Sequence, residues 1–554
     1  MSSFKSTWQL ALVLFLSACS DAGFLAFQSE NCQISVGQSC QASFRGGKFE
    51  WRLEGENLAG SEFYLVVFNN SELRHEDLSR DSFLVQSQPS SAPLHPEEAR
   101  LTHRVRARSV SFASNHYLHF NLPGPANIFG PSFNTSFYIP DPQDYGSLDP
   151  NSGERTNWFV RESNNIQTRG RKLPMEPIYE VSGSLRAHLT GELLPEDIPS
   201  NAAARQTIIN RYLDGVECAH QEIQWMKEVL GPLKPRGKTG IDLLIIPFEK
   251  PGVLGMFQHL DRFSHFRGQP LIDSNFAQTL YVSSALFRSQ NFPRREQQFC
   301  STSVHEYQHA YNFDRKVLEK RSSFDYRDMS GLRMESSGIN EAKSHHYEEL
   351  SERYQEVFKH RLSFLRNPMG TTLAHELATD NSNDFRSRGI NILLLDFVHA
   401  RNASRLRRDD TRTLNTLKGL IDSPEVGIRN IANHFNEREF EFLSQFFRSW
   451  ILALHSLEGV RNFTPPLEQE GGNTQGIHIL DRFAAAEEIP FVVSPYFHPL
   501  EADIPLLQSS QTQNLRASGI AVYRFILPGH VSSEPRISVS TRGAPFLTQI
   551  IRTQ

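Results

Sequence analysis

Val304-His305-Glu306-Tyr307-Gln308-His309 is the segment that most restricts this chain. Two imidazoles four residues apart meet at one point only if the backbone between them is helical, because residues i and i+4 share a helix face. One Zn²⁺ can then take both rings, with Glu306 beside them as general base toward a water. Phe299, Val304, Tyr311 and Phe313 are the apolar neighbours, so the pattern predicts a helix over about 295–320. The plain alternative is a solvated His-Glu-His face.

Two ligands do not complete a catalytic zinc site, which ordinarily has three protein ligands and a water. The third is expected downstream as His or carboxylate. Gly338-Ile-Asn-Glu341-Ala-Lys-Ser-His345-His346-Tyr347 offers Glu341 at the start of a second predicted helix, 339–362. His345 follows one turn later on the same face. Glu341 alone reads equally well as an acidic residue in a first helical turn; beside the two histidines it becomes the candidate ligand. His345, His346, Tyr347 and Tyr354 are candidates for contacts to substrate or transition state. A metzincin would place a third His six residues after His309, where Arg315 stands. No G-x-S-x-G occurs, which removes the usual serine nucleophile turn.

The N-terminus reads as an export signal: Lys5, then the apolar Trp8–Leu16, then Ser17-Ala18-Cys19. Leu16-Ser17-Ala18-Cys19 resembles the bacterial lipoprotein box, which implies a lipidated Cys19 as the mature N-terminus. With Ser20 next, the expected address is the outer membrane, with the acyl chains as anchor. The apolar run is too short to span a bilayer. Four further cysteines, Cys32, Cys40, Cys218 and Cys300, suggest two disulfides in an exported chain. Four cysteines allow three connectivities; sequence proximity prefers Cys32–Cys40, leaving Cys218–Cys300.

The 554 residues are 39% hydrophobic and 21% charged, which fits a multidomain globular protein and excludes collagen-like or largely disordered chains. A net charge of -5 gives no reason to expect nucleic acid. The expected order is a signal peptide at 1–18, a tether at 19–47 and an N-terminal β module at 48–150. A linker at 151–200, the histidine-bearing domain at 201–462, a loop-rich connection at 463–515 and a C-terminal β module at 516–554 follow. Within these, 62–68, 116–122, 241–247, 278–284, 519–527, 536–540 and 546–551 read as strands. Helices are expected near 201–230, 388–400, 411–422 and 437–458. Leu280–Ser284 is the candidate edge strand for binding an extended substrate.

His305-Glu306-Tyr-Gln-His309-Ala-Tyr-Asn-Phe, followed by Ile339-Asn340-Glu341-Ala-Lys-Ser344-His345-His-Tyr-Glu, resembles the hyicolysin family of gluzincin metallopeptidases. The segments around Gly255-Met-Phe, Asp261 and Leu280-Tyr-Val-Ser-Ser284 are similar to those before that family's catalytic helix. The resemblance spans about 201–554. It implies an α+β multidomain fold whose gluzincin core, a mixed sheet plus helical subdomain, is flanked by small β-sandwich-like modules. It implies one Zn²⁺ on His305, His309 and Glu341, with Glu306 as base, and a peptide or protein as substrate. Ala342-Lys343 departs from the Gly and apolar residue expected after the Glu. Three functions stand side by side: a lipid-anchored zinc endopeptidase, a surface-binding lipoprotein with an inactive peptidase-like domain, and a zinc hydrolase of non-peptide substrates.

Overall fold

The computed structural model describes residues 27–88, 136–138, 157–190, 202–459 and 510–553, apart from short interior gaps. The signal segment with Cys19, the 116–122 segment and Tyr354 lie outside the described residues. The architecture is mixed α and β.

A seven-stranded sheet is built from both ends of the chain. Its strands are β1 (Phe27–Gln33), β2 (Ser39–Glu54), β3 (Glu62–Asn69), β4 (Arg80–Gln88), β15 (Ser510–Arg516), β16 (Ile520–Ile526) and β17 (Arg536–Arg552). The path is β1-β2-β17-β3-β16, with β4 pairing β17 and β15. Only β1 and β2 run parallel. β3 is buried along its whole length. Tyr64, Val66 and Phe68 face the main core, whereas Phe63, Leu65 and Val67 face a second core with Phe49, Trp51 and Tyr523. This is the period-2 alternation of a strand with both faces covered.

These strands correct three expectations. The 19–47 segment is not only a tether, since β1 and half of β2 lie in it, stapled by the Cys32–Cys40 disulfide. The N- and C-terminal β segments are one sheet, because β17 hydrogen-bonds β2 on one side and β3 and β4 on the other. The two segments expected at 536–540 and 546–551 are one strand, broken in register between Thr541 and Pro545.

A six-stranded sheet carries the candidate site. It comprises β6 (Asn157–Val160), β7 (Arg171–Val181), β8 (Leu185–Thr190), β9 (Ile241–Ile246), β10 (Gly255–Phe257) and β13 (Thr279–Ser283), in the order β10-β13-β9-β8-β7-β6. β13, β9 and β8 are parallel and the outer pairs antiparallel. The 151–200 segment, expected as a linker with short strands, therefore supplies three strands of this sheet. β13 is interior, so Leu280–Ser284 offers no edge; among the described residues the edge on that side is β10. A small antiparallel sheet joins β5 (Ser136–Tyr138), β11 (His265–Phe266), β12 (Gln269–Pro270) and β14 (Ser323–Asp325).

The helices are α1 (Ala202–Leu230), α2 (Phe292–Phe313), α3 (Ser337–Leu350), α4 (Phe385–Arg401), α5 (Thr411–Asp422), α6 (Gly427–His434) and α7 (Glu439–Gly459). Tyr212, Val216, Ala219, Ile223, Met226 and Leu230 recur at alternating spacings of four and three, which gives α1 one continuous apolar face in the main core. α2 is buried on nearly every side from Phe299 onward. It lies against α1, bonded through Cys218–Cys300, and the Tyr307 hydroxyl donates to the Gly231 carbonyl at 3.2 Å. Beyond Phe313 the helix widens to a π-helical turn over Asp314–Leu318. There Arg262 grips Asp314 with bonds of 2.8 and 2.9 Å. α6 was not expected: at eight residues it is too short for a clear apolar period, and only Asn430, Ile431 and Ala432 are buried.

Candidate metal centre

α2 and α3 cross so that His305 and His309 face Glu341. His305 Nε2 lies 3.4 Å from Glu341 Oε2, and His309 Nε2 lies 3.3 Å from Glu341 Oε1. The two rings are edge to face with centroids 4.6 Å apart. All three side chains are buried, Glu341 completely. Two ligands about 2.1 Å from a tetrahedral ion stand about 3.4 Å apart. The observed separations match that edge length, and two nitrogens with one carboxylate oxygen suit a borderline divalent ion. The residues present therefore fit a metal ion.

The supporting contacts fix the ligands. His305 Nδ1 bonds Glu348 Oε1, and Glu348 Oε2 accepts from the Ser301 hydroxyl at 3.2 Å. A carboxylate at Nδ1 holds the ring with Nε2 toward Glu341, as a metal-binding histidine requires, and raises its basicity. His309 Nδ1 meets the Asn340 amide at 2.6 Å and the Ser344 hydroxyl at 3.2 Å. With Nε2 turned to an ion, Nδ1 carries the proton, so Asn340 must present its oxygen there. Arg388 of α4 sets Nη1 3.3 Å from Glu341 Oε2 and is about one-quarter exposed, so a cation borders the open side.

Electrostatics divide the histidines. Burial pushes the His309 pKa down to about 4. Burial also opposes charge on His305, but Glu348 and Glu341 outweigh it and hold its pKa well above the ordinary value. Glu348 is held low: burial opposes its ionisation, and His345 and His305 overcome that. Glu306 is different. Desolvation pushes its pKa up to about 8, with Glu341 and Glu348 adding and His305 and Arg388 subtracting. It is not among the clustered ligand atoms. Instead it packs beneath the edge strand: a Cβ on Gly255 would lie 2.8 Å from Glu306 Oε1 and 2.4 Å from Thr302 Cγ2.

The candidate contact residues separate. His345 stays beside the site, its ring 4.9 Å from His305 and its Nδ1 3.1 Å from Glu348 Oε1. His346 turns to α4, with Nε2 3.3 Å from both the Ile392 carbonyl and Asp396 Oδ1. Tyr347 is buried against Trp225 of α1. These two are held in the helix packing, away from the ligand cluster. Lys343 also points away. It is buried and pairs with Glu335, which lies 3.7 Å from Lys316 Nζ as well.

Glu348 and Arg388 are absent from the expectations. Glu348 stands seven residues after Glu341, two turns along the same face, so its spacing was a usable signal. Arg388 reaches the site only through the packing of α4 on α3, which no local pattern shows. No protein-family model matches the chain, and no curated protein matches its sequence.

Proposed function

We propose that the chain is a zinc-dependent endopeptidase of the gluzincin kind, similar to the hyicolysin family, that cleaves proteins outside the cytoplasm. The observation that carries this is the placement of both Glu341 oxygens 3.3–3.4 Å from the two imidazoles of one helix turn. A zinc ion bound there supplies Lewis-acid polarisation of a carbonyl and lowers the pKa of a water. Glu306 takes the proton from the attacking water on its carboxylate and returns it to the leaving amine. Burial raises its pKa in the metal-free site, and a bound cation would lower it toward the ionised form that a base needs. Arg388 is placed to donate to a developing oxyanion from the open side. The antiparallel edge β10 lies directly over Glu306 and suits an extended peptide added as a further strand.

Two disulfides indicate an oxidising, extracytoplasmic setting. No helix among the described residues is long and apolar enough to cross a membrane. In this reading the anchor is a lipid on Cys19, and the bacterial outer membrane is the site of residence. The test measures bound zinc and chelator-sensitive cleavage of an unfolded protein. Glu306→Gln should keep zinc and lose turnover, and Glu341→Ala should lose both. Near-normal cleavage by Glu306→Gln would sink the peptidase reading and return the surface-binding one.

A further inference from the structure

The turn that follows β10 holds this edge strand from two sides. After Phe257 and the buried Gln258, the chain makes a short 3₁₀ turn over His259–Arg262. Its last two residues carry opposite charges, both buried, and they reach different partners. Asp261 accepts from the Thr279 and Tyr281 hydroxyls of β13, and from the Asn275 backbone and amide nitrogens at 3.0 and 3.3 Å. Tyr281 is the residue paired with Met256 of β10, and both belong to the core that contains Trp158. Arg262 turns instead to Asp314, where the helix of His305 and His309 becomes π-helical. Phe257, on the strand face opposite Met256, meets Phe313 of α2 with ring centroids 5.7 Å apart. The turn is therefore tied both to β13 and to the end of α2.

Stability alone does not account for two buried charges at one turn. Taking them out of water is costly, and apolar side chains of similar volume often serve a core equally well. What directional bonds supply is placement. A carboxylate gripped by donors from three residues, and a guanidinium gripping a carboxylate, leave the turn one position. We propose that Asp261 and Arg262 are positioning residues that set the height of β10 over Glu306, so that a peptide added to this edge presents its scissile carbonyl within reach of that base. What the edge binds rests on the peptidase reading; that the two residues hold the strand does not. The clearance is small, since a Cβ on Gly255 would lie 2.8 Å from Glu306 Oε1. A displaced edge would still offer its backbone groups to a peptide, but at the wrong height for reaction.

The experiment compares wild type with Asp261→Asn and with the double variant Arg262→Gln/Asp314→Asn, which removes both charges and strands neither. Tyr281→Phe, which removes one donor to Asp261, is a milder third variant and should shift each readout in the same direction. Amide hydrogen exchange reads the strand: Gly255–Phe257 should exchange at least about 10-fold faster in the first two variants, with β9 unchanged. Bound zinc should stay at the wild-type level, which shows that the ligand helices are intact. Cleavage reads the consequence. For an extended decapeptide, kcat should fall about 10-fold or more, while KM stays within about 2-fold. For a blocked dipeptide, too short to lie along β10, kcat should hold. Unchanged exchange at β10, unchanged kcat for the decapeptide, or equal losses for both substrates would overturn the proposal. A zinc-filled wild type that cleaves neither substrate would instead overturn the peptidase reading, and the exchange rates alone would then decide whether Asp261 and Arg262 hold the strand.

Discussion

Glu306 lies where the sheet edge touches the helix, and its protonation is coupled to folding. Its ordinary pKa of 4.5 rises to about 8 in the metal-free fold. Between those values the folded chain keeps a proton that the unfolded chain has released. Folding then takes up a proton, so this group costs stability as pH rises from 4.5 to 8, and the cost levels off above. Metal-free wild type should therefore lose more thermal stability between pH 5 and pH 8 than metal-free Glu306→Gln. Equal losses would show that Glu306 ionises freely in the fold. Gly255→Ala tests the same contact from the strand side. A methyl 2.4 Å from Thr302 Cγ2 and 2.8 Å from Glu306 Oε1 cannot be accommodated without moving β10 or both side chains. Cleavage should fall at least about 10-fold with zinc content unchanged, as expected for a misplaced base; unchanged kcat would refute that role. His305, Glu306 and His309 were legible because helix geometry converts spacing into a shared face. Glu348 and Arg388 were not singled out. Arg388 approaches from a different segment of the chain, and only tertiary packing brings it near.

The helices were readable where burial is one-sided and long, as along α1, and most ends were found within a few residues; α3, expected to run to 362, ends at Leu350. α3 is less simple, because it presents functional groups on one side and structural ones on another. Glu341, His345 and Glu348 face the candidate centre, whereas Lys343 reaches Glu335 between α3 and the α5–α6 connection. Lys316 completes that cluster by donating to the Leu420 and Ser423 carbonyls at 2.9 and 2.8 Å. Lysine at 343 is thus a packing residue, and it leaves the ligand face intact. Removing one member of a buried ion pair strands the other charge. Lys343→Met should lower unfolding free energy by about 3 kcal/mol in denaturant titrations. Adding Glu335→Gln should cost less than it does in wild type, since its pair with Lys343 is already gone and only Lys316 remains beside it. A strictly additive double variant would show that the two do not interact.

Across the whole molecule, the strands were far more legible than their pairing. β3 and β16 announce themselves as apolar runs, but nothing local says that residues 63–69 pair with 546–552. Two β modules were expected because sequence distance was taken as spatial distance. The inserted β17 instead ties the site-bearing domain to the first strands. Ile551 and Leu547 of β17 share a core with Tyr307 and Ile339 of the two site helices. A chain ending before residue 536 should therefore lose cooperative unfolding and its bound zinc together. A truncated chain that binds zinc with wild-type affinity would show that the helical domain folds alone. Synthesis runs from the N-terminus, so β2 and β3 are made roughly 500 residues before the strand that separates them. During that interval each carries an unsatisfied backbone edge, open to pairing with other chains. Any helper that protects this protein during its manufacture would have to hold those first strands until the final segment arrives.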